Sequence, residues 1–294
     1  MTVAVANDNH LLPFTALRPR LRGLAYRLLG SLTDADDVVQ DAWLRWSAID
    51  AQAVRVPEAF LTTLVSRLAL DRLRAVRRAR DAYVGQWLPE PAVLDEAEID
   101  LPGEMSLAFL HLLERLTPDQ RAVYVLREAM DLDYAEIAGI LGKTITGCRQ
   151  MMRRAREAVA GPARFAAPSA DLAALADSFA RASLARDYAA IVALLEEDAV
   201  LISDGGGRVR SALNPIFGAD RIARFLIGIQ RKMAGPLSLE PVVVNGGPGF
   251  LTRVGGQAPR CALLPRRRGR PPPGIPDHQP RQAPPPGRCL IHGG

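Results

Sequence analysis

Lysine is almost missing from this chain. It occurs at Lys143 and Lys232 alone, against 35 arginines, and with the abundant alanine this marks a GC-rich coding sequence. Cysteine is scarce too. Cys148, Cys261 and Cys289 are odd in number, far apart and without CxxC or histidine partners, which excludes a zinc site or disulfide framework and points to a reducing compartment. No apolar run approaches the roughly 18 residues of a membrane span. Met1 to Asn9 lacks the basic-then-apolar layout of a secretory signal, so a soluble, cytoplasmic protein is expected. Neither a cofactor nor a metal is expected. What is present is 294 residues, 48% of them hydrophobic, enough for about two domains with real cores.

The net charge of +5 is a poor argument for nucleic acid once its distribution is read. Seven arginines and one acid fall between Gln257 and Gly294, so the rest of the chain carries 30 basic and 31 acidic residues. Only local clusters of basic groups can carry phosphate binding.

Residues 11 to 83 read as helices. An apolar-periodic stretch from Leu11 to Leu29 stops at Gly30. A second helix starts near Asp34, burying Val38, Val39, Ala42, Trp43 and Trp46 and leaving Asp37, Gln40, Asp41 and Arg45 towards water as an acidic face. A third runs from Pro57 through Phe60, Leu61, Leu64, Leu68 and Leu73. Its far end holds Arg67, Arg72, Arg74, Arg77, Arg78 and Arg80, with only Asp71 and Asp81 as local acids. So cationic a helix suits a phosphate backbone, and the plainer reading is a solvated helix.

Residues 84 to 103 form a linker, stiffened at Trp87-Leu88-Pro89-Glu90-Pro91, where Trp87 is either a docking anchor or a packing plug. A second helical unit spans 104 to 162. Thr117-Pro118-Asp119 opens one helix. Tyr134 to Leu141, Gly142 and Thr146 to Ala158 then give the layout of a helix-turn-helix, with Ile137, Ala138 and Leu141 packing on Cys148 and Met152. Thr146, Arg149, Gln150, Arg153 and Arg154 remain for DNA, arginine for guanine or phosphate and glutamine for adenine. Cys148 reads as a small buried hydrophobe.

From 169 to 256 an α+β pattern follows. Helices are expected at Asp171 to Ala185, Asp187 to Glu196 and Ala219 to Gln230. Strands are expected at Ala199 to Ser203, Arg208 to Ser211, Leu237 to Asn245 and Gly249 to Val254. Asp204-Gly205-Gly206-Gly207 reads as a hairpin turn, because a phosphate cradle would need a following helix and a GxGxxG or GK[ST] pattern. Residues 257 to 294 hold ten of the 23 prolines and no apolar period, and a disordered tail is expected. It reads either as a basic interaction arm or as the product of a shifted reading frame from about codon 256. In the latter case, lost strands would leave an unpaired sheet edge.

Gly23-Leu24-Ala25-Tyr26-Arg27-Leu28-Leu29-Gly30 and Asp36-Asp37-Val38-Val39-Gln40-Asp41-Ala42-Trp43 resemble the second conserved region of bacterial RNA polymerase sigma factors, and Leu116 to Arg156 resembles their fourth. With no third-region domain between them, the chain resembles the extracytoplasmic-function group. The Trp87 to Pro91 linker, the Asp204 turn and the α+β extension are similar to its subgroup with a SnoaL-like, NTF2-like C-terminal domain. The resemblance implies a multidomain fold: two all-α sigma domains, the second a helix-turn-helix, then an α+β SnoaL/NTF2-like domain and the disordered tail. It implies that Asp37, Gln40 and Asp41 grip core RNA polymerase. Arg67, Arg72, Arg74, Arg77 and Arg78 would meet the −10 promoter element, and Thr146, Arg149, Gln150, Arg153 and Arg154 the −35 element. Trp87, Pro89, Asp204 and Gly205 would form a regulatory contact in place of a separate anti-sigma protein. It also leaves room for an unidentified small ligand of the extension.

Two rivals stand beside it. An NTF2-like enzyme would have to rely on the lone carboxylates Asp187, Asp198, Asp204 and Asp220, since His10, His111, His278 and His292 all lie outside 169 to 256. A ligand-responsive helix-turn-helix regulator without sigma activity would have no need for the acidic face of Asp37 to Asp41.

Overall fold

The computed structural model describes residues 3–80, 87–93, 106–159, 170–197, 199–204, 212–233, 235–255, 260–263 and 288–292. Contacts divide the chain into two units. The first comprises residues 1–82, 94–105 and 110–159, and the second 83–93, 106–109 and 160–294.

In the first unit, α1 (Val3–Leu29) begins earlier than the expected Leu11 and carries Pro13 and Pro19 within it. It ends where expected. Gly30 takes a left-handed φ of 71° and its N–H donates to the Tyr26 carbonyl at 2.7 Å, a stop that glycine accepts without a Cβ penalty. Ser31 then caps α2 (Leu32–Ser47) by accepting the Asp34 N–H. Packed together, α1, α2 and α3 (Pro57–Arg80) bury the stripe Val38, Val39, Ala42 and Trp46. Trp46 is wholly enclosed and donates its indole N–H to the His10 carbonyl at 2.9 Å. Trp43, expected in that stripe, is only half-buried and lies on Phe14 with ring centroids 5.0 Å apart. On α3 the buried line is Leu61, Val65, Ala69 and Leu73, one residue in four, while Phe60, Leu64 and Leu68 flank it.

The rest of this unit is α4 (Leu107–Leu113, its first turn in the second unit), α5 (Pro118–Glu128), α6 (Tyr134–Leu141) and α7 (Ile145–Val159). Local chemistry sets their boundaries. Thr117 and Gln120 form a reciprocal capping box at α5, and Asp133 and Glu136 another at α6. Gly142 closes α6 in the left-handed region at φ 63°, and Thr144 accepts the Gly147 N–H at the head of α7. Ile137, Ala138 and Leu141 are buried, as are Cys148 and Met152, the expected helix-turn-helix core. Burial raises the Cys148 thiol pKa, against a smaller opposing pull from Lys143, so Cys148 packs as a neutral hydrophobe.

In the second unit, α8 (Ala170–Ala185), α9 (Tyr188–Leu194) and α10 (Ala219–Lys232) accompany a mixed sheet. Its strands are β1 (Val200–Asp204), β2 (Ile216–Phe217), β3 (Leu237–Val244), β4 (Gly247–Val254), β5 (Arg260–Leu263) and β6 (Arg288–His292), in the order β2-β1-β6-β5-β4-β3. Ala199 and Leu201 join the helix-side core with Phe179, Ile191, Ile222 and Phe250. Val200 and Ile202, alternating with them, face Leu88 and Leu107. Every residue of β1 is buried, Ser203 and Asp204 included, as fits a strand covered on both faces. The β3–β4 hairpin turns at Asn245-Gly246, both at positive φ (50° and 73°), as a two-residue turn demands.

Two short strands are described within the Pro- and Arg-rich tail. β5 pairs antiparallel with β4, and β6 runs parallel to β1, from Val200 opposite Arg288 to Asp204 opposite His292. Ladders use the backbone, so brief runs such as Cys261-Ala262-Leu263 and Cys289-Leu290-Ile291 suffice without a long apolar period. β5 thereby lies along the side of β4 that β3 leaves free. Residues 264–287 and the expected strand at Arg208 to Ser211 lie outside the described residues. No described helix is long and apolar enough to cross a membrane.

Gly142 offers a test of the local account. No atom lies within 4 Å of a Cβ added there, so Gly142→Ala meets only the backbone cost of the left-handed region. It should destabilise the helix-turn-helix by about 1–2 kcal/mol, and Gly142→Asn by less. Urea unfolding followed by circular dichroism measures both.

Candidate functional site

Helix α2 presents the acidic face on its outer side. Asp37, Gln40 and Asp41 are all exposed, while the opposite stripe is locked into the core through Trp46. Asp36 is engaged by a two-pronged pair with Arg22 (2.7 and 3.0 Å).

At the basic end of α3, Asp71 and Asp81 are the local acids in sequence, and four of the arginines also find partners far away in the chain. Arg72 donates to Asp34 at 2.6 and 2.9 Å. Hydrogen bonding and charge from Asp34, with smaller contributions from Asp37 and Asp41, raise its pKa, so this guanidinium lies in the field of the acidic helix. Arg74 donates to Asp119 at 2.7 Å. Arg77 donates to the Leu116 carbonyl, and Arg67 to the carbonyls of Ile140 (3.0 Å) and Gly139 (2.9 Å). Arg78 is exposed and bonded to its own helix, through the Arg74 carbonyl at 3.3 Å. The side chain of Arg80 lies outside the described residues.

Asp119 is shared, since Lys143 Nζ also reaches it at 3.1 Å. Burial alone would raise its pKa, but Arg74 and Lys143 outweigh that and hold the carboxyl below the usual range. A depressed carboxylate stabilises fully above its unfolded value near about 4 and loses this as pH falls through the lower folded value, so the network is intact at neutral pH.

On α7, Thr146, Arg149, Gln150, Arg153 and Arg154 are all exposed, on the side away from Cys148 and Met152. Arg149 lies over the Tyr134 ring at 5.7 Å, a cation–π contact that fixes its direction. Arg156 is committed to Glu128 at 2.7 Å and Arg153 is loosely paired with Glu157 at 3.8 Å. This face of α7 is thus exposed, with Arg149 held in place on Tyr134.

In the second unit the linker is fastened at two points. Leu88 is buried among Leu107, Val200 and Ile202, and its N–H donates to the Asp204 carboxylate at 3.0 Å. Pro89 is buried beside it and Trp87 is half-buried. The second point was missed by sequence reasoning. Ala92 N–H donates to the Asn245 side chain at 2.8 Å, and the Asn245 N–H donates back to the Ala92 carbonyl at 2.9 Å. The Asn-Gly dipeptide is a hairpin signal, but nothing in the sequence points from it to residue 92. Gly205 lies outside the described residues, as does Asp198. The other carboxylates considered for catalysis have structural uses. Asp187 caps α9 and Asp220 pairs with Arg224 and Tyr188 on the surface. Among the described residues no group of three His, Cys, Asp or Glu could hold a metal ion.

Comparison with known proteins follows this division. The Sigma-70 region 2 family matches residues 14–79 and the Sigma-70, region 4 family residues 106–159. The chain is 37% identical over 249 residues to the ECF RNA polymerase sigma factor SigJ of Mycobacterium tuberculosis (strain ATCC 25618 / H37Rv), covering 81% of this chain and 80% of that one. It is 31% identical over 144 residues to the ferric citrate uptake sigma factor FecI of Escherichia coli (strain K12), covering 47% and 80%. The crystal structure of the Mycobacterium tuberculosis extracytoplasmic function sigma factor SigJ superposes with a TM-score of 0.70 at 30% identity, over 95% of both chains.

The linker clamp gives a direct prediction. Asp204→Ala removes the acceptor of the buried Leu88 N–H and should cost the second unit about 1–3 kcal/mol. Hydrogen exchange should show the Leu88 amide losing protection while Ala92, held by Asn245, keeps its own.

Proposed function

The chain belongs to the extracytoplasmic-function RNA polymerase sigma factors, and on that premise we propose how its surfaces divide the work. As a sigma factor it binds core RNA polymerase and directs promoter-specific transcription initiation. The exposed acidic face of α2, through Asp37, Gln40 and Asp41, is the core contact, because a carboxylate-rich face repels DNA and needs a basic protein partner. The arginine end of α3, through Arg67, Arg72, Arg74, Arg77 and Arg78, meets the −10 element and its melted strand. The α7 face reads the −35 element from the major groove: Arg149, Arg153 and Arg154 suit guanine or phosphate, Gln150 suits adenine, and Thr146 stands at the helix start.

The observation that carries this reading is the segregation of charge between two faces. The acids stand exposed on α2 while the cations stand exposed on α7, and each helix has its apolar stripe buried. A DNA-binding regulator acting alone has no use for the first face. The second unit acts on the sigma part through the linker: Leu88 on Asp204, with Pro89 and Trp87 alongside, and Ala92 on Asn245 restrain the segment that joins the region-2 and region-4 helices. Regulation of the sigma part by its own C-terminal domain is supported by that docking.

Core binding is tested by mixing the full chain with core RNA polymerase on a sizing column. The wild type should co-elute stoichiometrically, and Asp41→Arg should weaken the complex about tenfold or more while leaving the fold intact, since Asp41 is exposed. Failure of a folded wild type to co-elute would refute the reading. At the other face, Arg153→Ala should weaken binding to −35 duplex by about 1–3 kcal/mol, read by fluorescence anisotropy, without changing core binding.

A further inference from the structure

A single tyrosine ring carries two arginines beside the −35 face. Tyr134 is the first residue of α6, and the reciprocal hydrogen bonds of Asp133 and Glu136 fix the backbone around it. Arg127 of α5 lies over the ring at 5.6 Å and also donates to the Leu132 carbonyl at 2.7 Å. The half-buried ring is thereby anchored, and Arg149 of α7 lies over it at 5.7 Å. A helix turns about 100° per residue, so Thr146, Gln150, Arg153 and Arg154 stand within roughly 50° of the direction opposite the buried Cys148, Met152 and Ala155. Arg149 stands about 90° round from that direction, on the flank towards Tyr134. Among the described residues it has no carboxylate partner, whereas Arg153 has Glu157 and Arg156 has Glu128.

We propose that Tyr134 is a positioning residue of the −35 site, holding Arg149 on the flank of α7 against a backbone phosphate and leaving the base edges to the outermost residues of the helix. The inference rests on the sigma reading above and decides between guanine and phosphate for Arg149. A helix lying in the major groove turns its outermost side chains to the base edges and its flanks to the sugar-phosphate walls. Two guanidinium groups gathered on one ring concentrate positive charge, which favours a fully charged phosphate over the neutral acceptors of guanine. Stacking uses the face of a guanidinium, while its N–H donors lie in its plane and stay available to phosphate oxygens. An arginine gives up rotamer freedom when it binds, and one already held on a ring has less left to lose.

The test is fluorescence anisotropy of the full chain on a duplex that the chain itself selects from a random-sequence pool, repeated over a salt series and over single-base-pair variants of that duplex. Arg149→Ala should weaken binding to every duplex by the same factor and lower the salt slope by about one, the counterion release of one phosphate. Tyr134→Leu should weaken binding roughly two- to fivefold, the worth of an exposed cation–π contact, and Tyr134→Phe, which keeps the ring, should bind as the wild type does. In the Tyr134→Leu background, Arg149→Ala should cost less than in the wild type, while Arg154→Ala should cost the same in both. A role of Tyr134 in stability alone would not single out Arg149. If circular dichroism shows Tyr134→Leu to be unfolded, Arg149→Lys supplies the comparison: it keeps the charge and loses the stacked plane, so binding should weaken with the salt slope retained.

An Arg149→Ala variant that loses its preference at one base pair with the salt slope unchanged would make Arg149 a base reader and overturn the proposal. Additive losses from Tyr134→Leu and Arg149→Ala would overturn it as well. If the folded wild type selects no duplex, the −35 reading of α7 fails and this inference with it. A selected duplex without coupling between Tyr134 and Arg149 sinks the inference alone and leaves the sigma reading standing.

Discussion

A guanidinium buried where water cannot reach it holds the first unit together. Arg121 is 1% exposed, donating through Nε to the Arg27 carbonyl at 2.9 Å and through Nη1 to Glu114 at 2.7 Å. Two of its three nitrogens are paired in this way, Nη2 being buried without a hydrogen-bond partner, and removing one partner of such a buried charge typically costs about 3–5 kcal/mol. Because Arg27 closes α1 and Arg121 sits on α5, this bond fixes the region-4 helices against the region-2 helices. The positions of Arg67, Arg74 and Arg77 follow from it: once α5 and α6 lie along α3, their free carbonyls and Asp119 are the acceptors within reach.

The charge pattern of the chain looks different in that light. An arginine-rich helix reads as a nucleic-acid surface when taken alone, and the exposed face of α7 agrees with that reading. On α3, however, Asp34 and Asp119 answer cations that have few acids near them in sequence. The same planar donor that suits phosphate suits a carboxylate or a helix-end carbonyl.

The second unit shows a similar economy on its sheet. Burial of β1 on both sides gives one face to the helices α8, α9 and α10 and the other to Leu88 and Leu107, so the linker is part of a core and not a free tether. Strand β6 fills the place between β1 and β5, which is why the sheet has no gap despite the Pro- and Arg-rich composition around it. Asn245 shapes the β3–β4 turn by its positive φ and at the same time holds Ala92, linking hairpin geometry to the linker's path.

What the sequence determined by itself is local. Thr117-Pro118 with Gln120, Asp133 with Glu136, and Gly142 fix helix ends through hydrogen bonds within three or four residues. The spacing of Val38, Val39, Ala42 and Trp46, and of Cys148 and Met152, fixes which face is buried. The acidic face of α2 and the cationic face of α7 were legible for that reason, as were the two sigma regions in order. Only the tertiary structure decided which acceptor each arginine of α3 takes, that Leu88 ends on Asp204 and Ala92 on Asn245, and that two pieces of the last 38 residues enter the sheet. These partners lie between 38 and 153 positions apart. A hydrogen bond of under about 3.2 Å between such residues depends on how whole helices and strands pack, and no pattern of neighbouring residues encodes that.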